Sequence, residues 1–220
     1  MVAAELINYM IPPLKLSDDS LTALRWMEEF RVTQLPVADK KTFLGFITEE
    51  QIIDANNTSN LISQYELKFA DINISPNTHY LDLLKASDEY KVSLLPIIDE
   101  QNEYLGVVSV TDITLALAQV LNGYGPGGIL VIRFKDIDYS MTEIARLVES
   151  NDVKILSSYV SNEPNSEYIH LTLKFNKANL SRVIATLERH GYRILSQYVE
   201  SENKDDDKDR LDEFFKYLNI

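Results

Sequence analysis

The feature that most constrains this chain is an internal repeat. Val32-Thr33-Gln34-Leu35-Pro36-Val37-Ala38-Asp39 returns as Val92-Ser93-Leu94-Leu95-Pro96-Ile97-Ile98-Asp99. Pro96 minus Pro36 gives an offset of 60, and Gly106 minus Gly45 gives 61. Repeated units are normally stacked so that each covers the apolar face of the other. The first half of the chain therefore reads as a tandem pair, with repeats over about 1–60 and 61–122.

Within the first repeat, Met10-Ile11-Pro12-Pro13 forbids helix continuation and sets an extended entry. Ser17 to Phe30 reads as a helix, with Leu21, Leu24, Met27 and Phe30 near one face. Gln34 to Ala38 and Phe43 to Ile47 read as paired strands, followed by a helix from Thr48 to about Ala55. The second repeat runs similarly, with a helix over Tyr80 to Tyr90, strands over Leu94 to Ile98 and Tyr104 to Val108, and a closing helix from Asp112 to Asn122.

The chemistry-bearing stretch is Gly106-Val107-Val108-Ser109-Val110-Thr111-Asp112, where an apolar strand gives way to a helix and short oxygen-bearing side chains collect. An ionised carboxylate accepts from two vicinal hydroxyls, and hydroxyls at a helix start share backbone donors with an anion. A helix cap built on Ser109 or Thr111 accounts for the same residues, so ligand and cap both stand for the second repeat. The first repeat has Thr48-Glu49-Glu50-Gln51 at the matching place, which reads as a capping box and puts two carboxylates where a phosphate would approach.

An extended apolar-Pro-apolar-apolar-Asp strand, a turn, then Gly-apolar-apolar-Ser/Thr-x-x-Asp and a helix resembles a CBS domain. Two in tandem resemble a Bateman module. The resemblance implies an adenosine effector, AMP, ATP or S-adenosylmethionine, in the cleft between repeats. It places Ser109 near phosphate or ribose, with Thr111 beside it, Asp112 on the ribose hydroxyls, and the backbone of Val92, Leu94 and Pro96 near the base. No Lys or Arg lies between Ser109 and Asp112, so a single phosphate or bare nucleoside fits more easily than a polyphosphate.

Gly123-Tyr124-Gly125-Pro126-Gly127-Gly128 marks a linker over 123–128. It follows a helix and lacks the lysine of a phosphate-binding loop. From 129 to 200 the chain reads β-α-β-β-α-β, the ferredoxin-like arrangement. Strands fall at Ile129 to Phe134, Ile155 to Val160, Ile169 to Phe175 and Ile194 to Val199. Ser140-x-x-Glu143 opens the first helix, and Gly191 ends the second in the left-handed conformation. After a CBS pair this unit resembles an ACT domain, and the combination resembles the CBS–ACT proteins of the acetoin-utilisation type. That implies dimerisation. An amino-acid site at the first strand-to-helix turn, Lys135-Asp136-Ile137-Asp138-Tyr139, is less favoured, since two carboxylates there repel an α-carboxylate. The tail, 201–220, reads as an acidic linker and an amphipathic helix carrying Leu211, Phe214, Phe215 and Leu218. The fold class expected is α+β.

A net charge of −13 argues against nucleic acid or an anionic membrane as partner. No stretch approaches the run of about 18 apolar residues that a bilayer span needs. The N-terminus lacks the charged-then-apolar layout of a signal peptide, so a cytoplasmic protein is expected. The absence of cysteine excludes disulfides and thiolate chemistry. His79, His170 and His190 are too scattered to suggest a catalytic constellation, and no metal site or required cofactor is expected. The function read from sequence is a non-catalytic regulatory homodimer that senses an adenosine nucleotide and acts on an unidentified protein. The alternative is a ligand-free dimeric scaffold.

Overall fold

A computed structural model describes residues 1–122, 127–135, 137 and 139–199. The glycine-rich 123–126, Asp136, Asp138 and the whole tail with its expected helix lie outside the described residues. The chain forms two compact units, Met1–Val120 and a second beginning at Leu121, and the fold is mixed α+β.

In the first unit each repeat is a helix, a β-hairpin and a second helix. Helix α1 (Ser20–Phe30) precedes strands β1 (Gln34–Asp39) and β2 (Thr42–Thr48), then helix α2 (Glu49–Ala55). Helix α3 (Tyr80–Tyr90), strands β3 (Leu94–Ile98) and β4 (Tyr104–Ser109) and helix α4 (Val110–Asn122) repeat the series. The copy extends to backbone detail. Both hairpins shift register at the same place, between Val37 and Ala38 and between Ile97 and Ile98. Both first helices end in a left-handed residue, Arg31 and Lys91, each at φ 54.

Helix α1 begins at Ser20 rather than Ser17, because the Asp19 carboxylate accepts the Thr22 N–H at 2.8 Å and fixes the start there. Helix α4 begins at Val110, two residues before the expected Asp112, because Ser109 is the residue that caps it.

Packing does not follow the linear division at residue 60, because the two repeats exchange their lead-in segments. Ala3 and Ala4 donate their N–H groups to the Thr78 and Pro76 carbonyls, and Asn8 donates to Val107 at 2.8 Å, so the N-terminus completes the second repeat. Lys68 and Phe46 exchange backbone bonds of 2.9 and 2.7 Å, so the segment after residue 60 completes the first. The cores agree: Ile62 packs with Leu35, Phe46 and Ile52, whereas Ala3 packs with Leu83, Leu95 and Ile113. Leu94 and Val107 of the second repeat are buried in the first repeat's cluster, and Phe69 packs against both. Phe43 and Tyr104, 61 residues apart (104 − 43), stack with ring centres 5.7 Å apart. The Tyr104 hydroxyl is sealed there without a hydrogen-bond partner among the described residues, and burial pushes its phenol well above the usual range.

In the second unit, strand β5 (Gly128–Lys135), helix α5 (Met141–Glu149), strands β6 (Ile155–Asn162) and β7 (Tyr168–Phe175), helix α6 (Ser181–Arg189) and strand β8 (Arg193–Val199) give the expected order of elements. The four strands form one antiparallel sheet in the order β6-β7-β5-β8. Alternation along β5 buries Leu130, Ile132 and Phe134 against Ile144, Leu147, Val183 and Leu187 of the helices. Ser140 caps α5 through the Glu143 N–H at 3.4 Å, and Gly191 follows α6 at φ +85. Arg133 of β5 makes a two-pronged bond at 2.8 and 3.2 Å to Glu163, just beyond β6, and His170 of β7 lies 3.3 Å from the same carboxylate.

Candidate ligand site

The strand-to-helix junction of the second repeat owes its shape to Gly106. At φ +150, with an added Cβ falling 2.6 Å from the Ile7 Cγ2, this position lets the N-terminal segment lie directly on β4. That approach carries Asn8 across 104 residues of sequence to Asp112, where its side-chain amide donates to Oδ2 at 3.1 Å.

Ser109 and Asp112 close a reciprocal cap. Ser109 Oγ accepts the Asp112 N–H at 3.0 Å, while Asp112 Oδ2 accepts from Ser109 Oγ at 2.5 Å and from the Ser109 N–H at 3.3 Å. All three bonds to the carboxylate fall on Oδ2. No bond from a described residue falls on Oδ1, and Asp112 is half-buried rather than sealed. Two hydroxyls of a ring are well matched to such a free carboxylate edge. The neighbouring Ser93 Oγ is shut off from solvent with no partner among the described residues, while the Ser93 carbonyl takes the Val110 N–H at 3.0 Å. A buried hydroxyl left unbonded costs about 1–3 kcal/mol, which is a local cost of the fold at Ser93.

The other residues named from sequence fall in varied places. Val92 is buried in the second repeat's core and Leu94 in the first's. The Leu94 carbonyl is engaged by Gln34 Nε2 at 3.2 Å and its backbone pairs with Ser109. Pro96 is buried in β3 opposite Val107, and Thr111 is exposed on the first turn of α4. Asn8 joins the junction without having been read from sequence, and Ser93 was read only as part of the Val92 to Pro96 backbone. The repeat offset was the available signal for Asn8, since it stands 60 residues (68 − 8) before Lys68.

The first junction has the same skeleton and different contents. Thr48 Oγ1 accepts the Gln51 N–H at 3.4 Å and Gln51 Oε1 accepts the Thr48 N–H at 3.2 Å, the capping box expected there. Gln51 Nε2 then donates to the Glu66 carbonyl at 2.7 Å, so the side chain at the acidic position is spent. A cleft of about 380 Å³ opens here between Thr33, Glu49, Glu50, Lys68 and Lys91. Lys68 and Lys91 were not read as site residues, because they come from segments distant in sequence. Lys68 lies 3.5 Å from Glu50, so one cation is already paired with one of the two carboxylates.

Among the described residues no group of His, Asp and Glu is arranged to hold a metal ion, and no helix is long and apolar enough to cross a membrane.

Comparison with known proteins bears on the second repeat first. Residues 70–119 match the family model of the CBS domain. A curated relative, inosine-5'-monophosphate dehydrogenase of Korarchaeum cryptofilum, is 29% identical over 91 residues, covering 41% of this chain. The chain spans 19% of that enzyme's length. Among solved structures, a CBS domain pair/ACT domain protein from Thermotoga maritima is 20% identical, covering 55% of this chain and 99% of that one, with a TM-score of 0.49. CBSX2, solved in complex with AMP, is 18% identical over 55% of this chain and 98% of its own, with a TM-score of 0.46.

Proposed function

We propose that this chain is a non-catalytic regulatory protein whose second repeat senses an adenosine compound at the Ser109–Asp112 junction. The observation that carries the reading is the one-sided use of Asp112, whose bonds gather on Oδ2 while the Oδ1 edge takes none from the described residues. The CBS match over 70–119 supports it. Asp112 grips the two ribose hydroxyls, and the hydroxyl side chains and N-terminal turn of α4 meet a single phosphate. With a net charge of −13 and no cation between Ser109 and Asp112, AMP or an uncharged or cationic nucleoside such as S-adenosylmethionine binds in preference to ATP. In the full reading the second unit is an ACT-like dimerisation domain that passes the change to a regulated protein in the cytoplasm.

One observation favours a second reading, a ligand-free dimeric scaffold. Ser109 and Asp112 already satisfy each other as a cap. Thermal unfolding in the presence of AMP, ATP and S-adenosylmethionine separates the two. An effector at a hundred times its dissociation constant adds about 2.7 kcal/mol to the native state. A melting temperature unmoved by all three leaves the scaffold.

A further inference from the structure

The helices of the second unit cover one face of its sheet and leave the other open. Leu130, Ile132 and Phe134 of β5 and Leu171 and Leu173 of β7 belong to the core under the helices, so the residues between them point the opposite way. On that outer face Ile129 pairs with Tyr198 of β8, and Thr172 of β7 lies between Val131 of β5 and Tyr159 of β6. A sheet face left to water is normally polar in alternation with its buried side. This one instead sets an aliphatic pair between two tyrosines, Tyr159 at 54% and Tyr198 at 58% exposed. These side chains line a hollow of about 330 Å³. Farther along β5 and β7 the face turns charged, with Arg133 and His170 both on Glu163.

The chain leaves the sheet beside this hollow. Val199 ends β8 opposite Gly128, one residue after Tyr198. Leu211 follows Val199 by 12 residues, a stretch that reaches up to about 40 Å, and opens the stripe Leu211, Phe214, Phe215 and Leu218. A helix so short is marginal by itself and needs an apolar surface to lie on. The eleven residues from Asp209 to Asn219 would make about 16 Å of helix, and four paired strands are about 14 Å across. We propose that segment 209–219 docks as a helix on the outer face of its own chain's sheet, its apolar stripe filling the hollow between Tyr159 and Tyr198. Both faces of the sheet are then covered, and Asp212 and Glu213, off the stripe, stay in water. A second copy is the weaker occupant. The short linker holds the tail at about millimolar effective concentration, whereas two copies repel each other with a net charge of −13 apiece.

The chain has no cysteine, so a single introduced thiol reports on this face alone. Thr172→Cys is close in size to the residue it replaces and lines the hollow. Its rate of reaction with a maleimide is measured in the full chain, with and without Phe214→Asp and Phe215→Asp, at several chain concentrations. Docking makes the reaction wait on local opening, so the thiol is expected to react roughly tenfold or more slowly with the tail aromatics intact, at every concentration. A milder pair, Leu211→Ala with Leu218→Ala, is expected to release the thiol part-way without adding charge. Equal rates in all three chains overturn the docking. Release by the aspartates alone is an effect of charge or of unfolding and overturns it as well. Protection that fades on dilution puts a second copy on the face in place of the chain's own tail, which also overturns the proposal.

Discussion

The two strand-to-helix junctions of the first unit share a backbone and differ in what they do with one side chain. Each has a glycine at positive φ, a lead-in segment laid across it, and a hydroxyl capping the helix. At the first junction the residue three beyond the cap is Gln51, which donates to the Glu66 carbonyl and so is used up holding the lead-in segment. At the second it is Asp112, which receives the lead-in through Asn8 and still keeps one oxygen edge clear of other described residues. The difference separates a stabilising device from a candidate binding one. An amide can complete a cap, but only a carboxylate completes it and retains charged acceptor capacity for hydroxyls.

The largest expected effect probes what is common to both. Gly45→Ala places a Cβ 2.9 Å from the Lys68 carbonyl oxygen and the Leu67 Cβ, atoms that cannot rotate away, at φ +133. Gly106→Ala meets the Ile7 Cγ2 at 2.6 Å, a side-chain methyl rather than a backbone atom. Urea unfolding is expected to show a loss of about 2–4 kcal/mol for the first and about 1–3 for the second. The reverse order would mean that the second lead-in is the more rigid.

Next comes the cap chemistry. Gln51→Ala and Asp112→Ala should each cost stability of about 0.5–2 kcal/mol through loss of a reciprocal cap. Only Asp112→Ala should also lower AMP affinity, by at least about tenfold for the loss of a charged acceptor. Equal affinity losses in the two would erase the distinction between the junctions. Asn8→Ala removes one bond to a carboxylate and is expected to cost about 1 kcal/mol or slightly more. Hydrogen exchange should then quicken at the amides of Ala3 and Ala4, which are tied to the second repeat. Unchanged exchange there would show that Asn8 does not anchor the segment.

Where the repeats meet, Tyr104→Phe removes a hydroxyl that has no partner among the described residues, and should be neutral or stabilising within about 1 kcal/mol. A clear loss of stability would reveal a partner for that oxygen. The smallest effect is in pH. Bonds from Thr22 hold the Asp19 carboxyl below its ordinary value of 3.8. A depressed carboxylate contributes stability that is present above its unfolded value and lost as pH falls through the folded one, so Asp19→Asn should flatten the acid limb of the unfolding curve. An acid limb as steep as the parent's would contradict that.

The sequence carried much of the skeleton because local chemistry and repetition agreed. The Pro36/Pro96 and Gly45/Gly106 pairs located both hairpins, and Thr48-x-x-Gln51 announced its capping box. The alternation of Leu130, Ile132 and Phe134 exposed one face of β5 to view. What stayed hidden was long-range. The exchange of lead-in segments has no local signature, so the boundary at residue 60 looked like a division when the packing crosses it. Asn8 could not be attached to Asp112 without that exchange, and Ser93 is ordinary until its hydroxyl is found buried and unbonded. Leu94 shows the converse limit: an apolar residue in the right motif position is filled with core packing and a bond from Gln34.

The central claim, that one junction binds and its twin does not, is most directly tested by the stoichiometry of AMP binding measured by calorimetry on the full chain. The expected result is one AMP per chain, lost in Asp112→Ala and kept in Gln51→Ala. Two AMP per chain, none at all, or one that survives Asp112→Ala would contradict it.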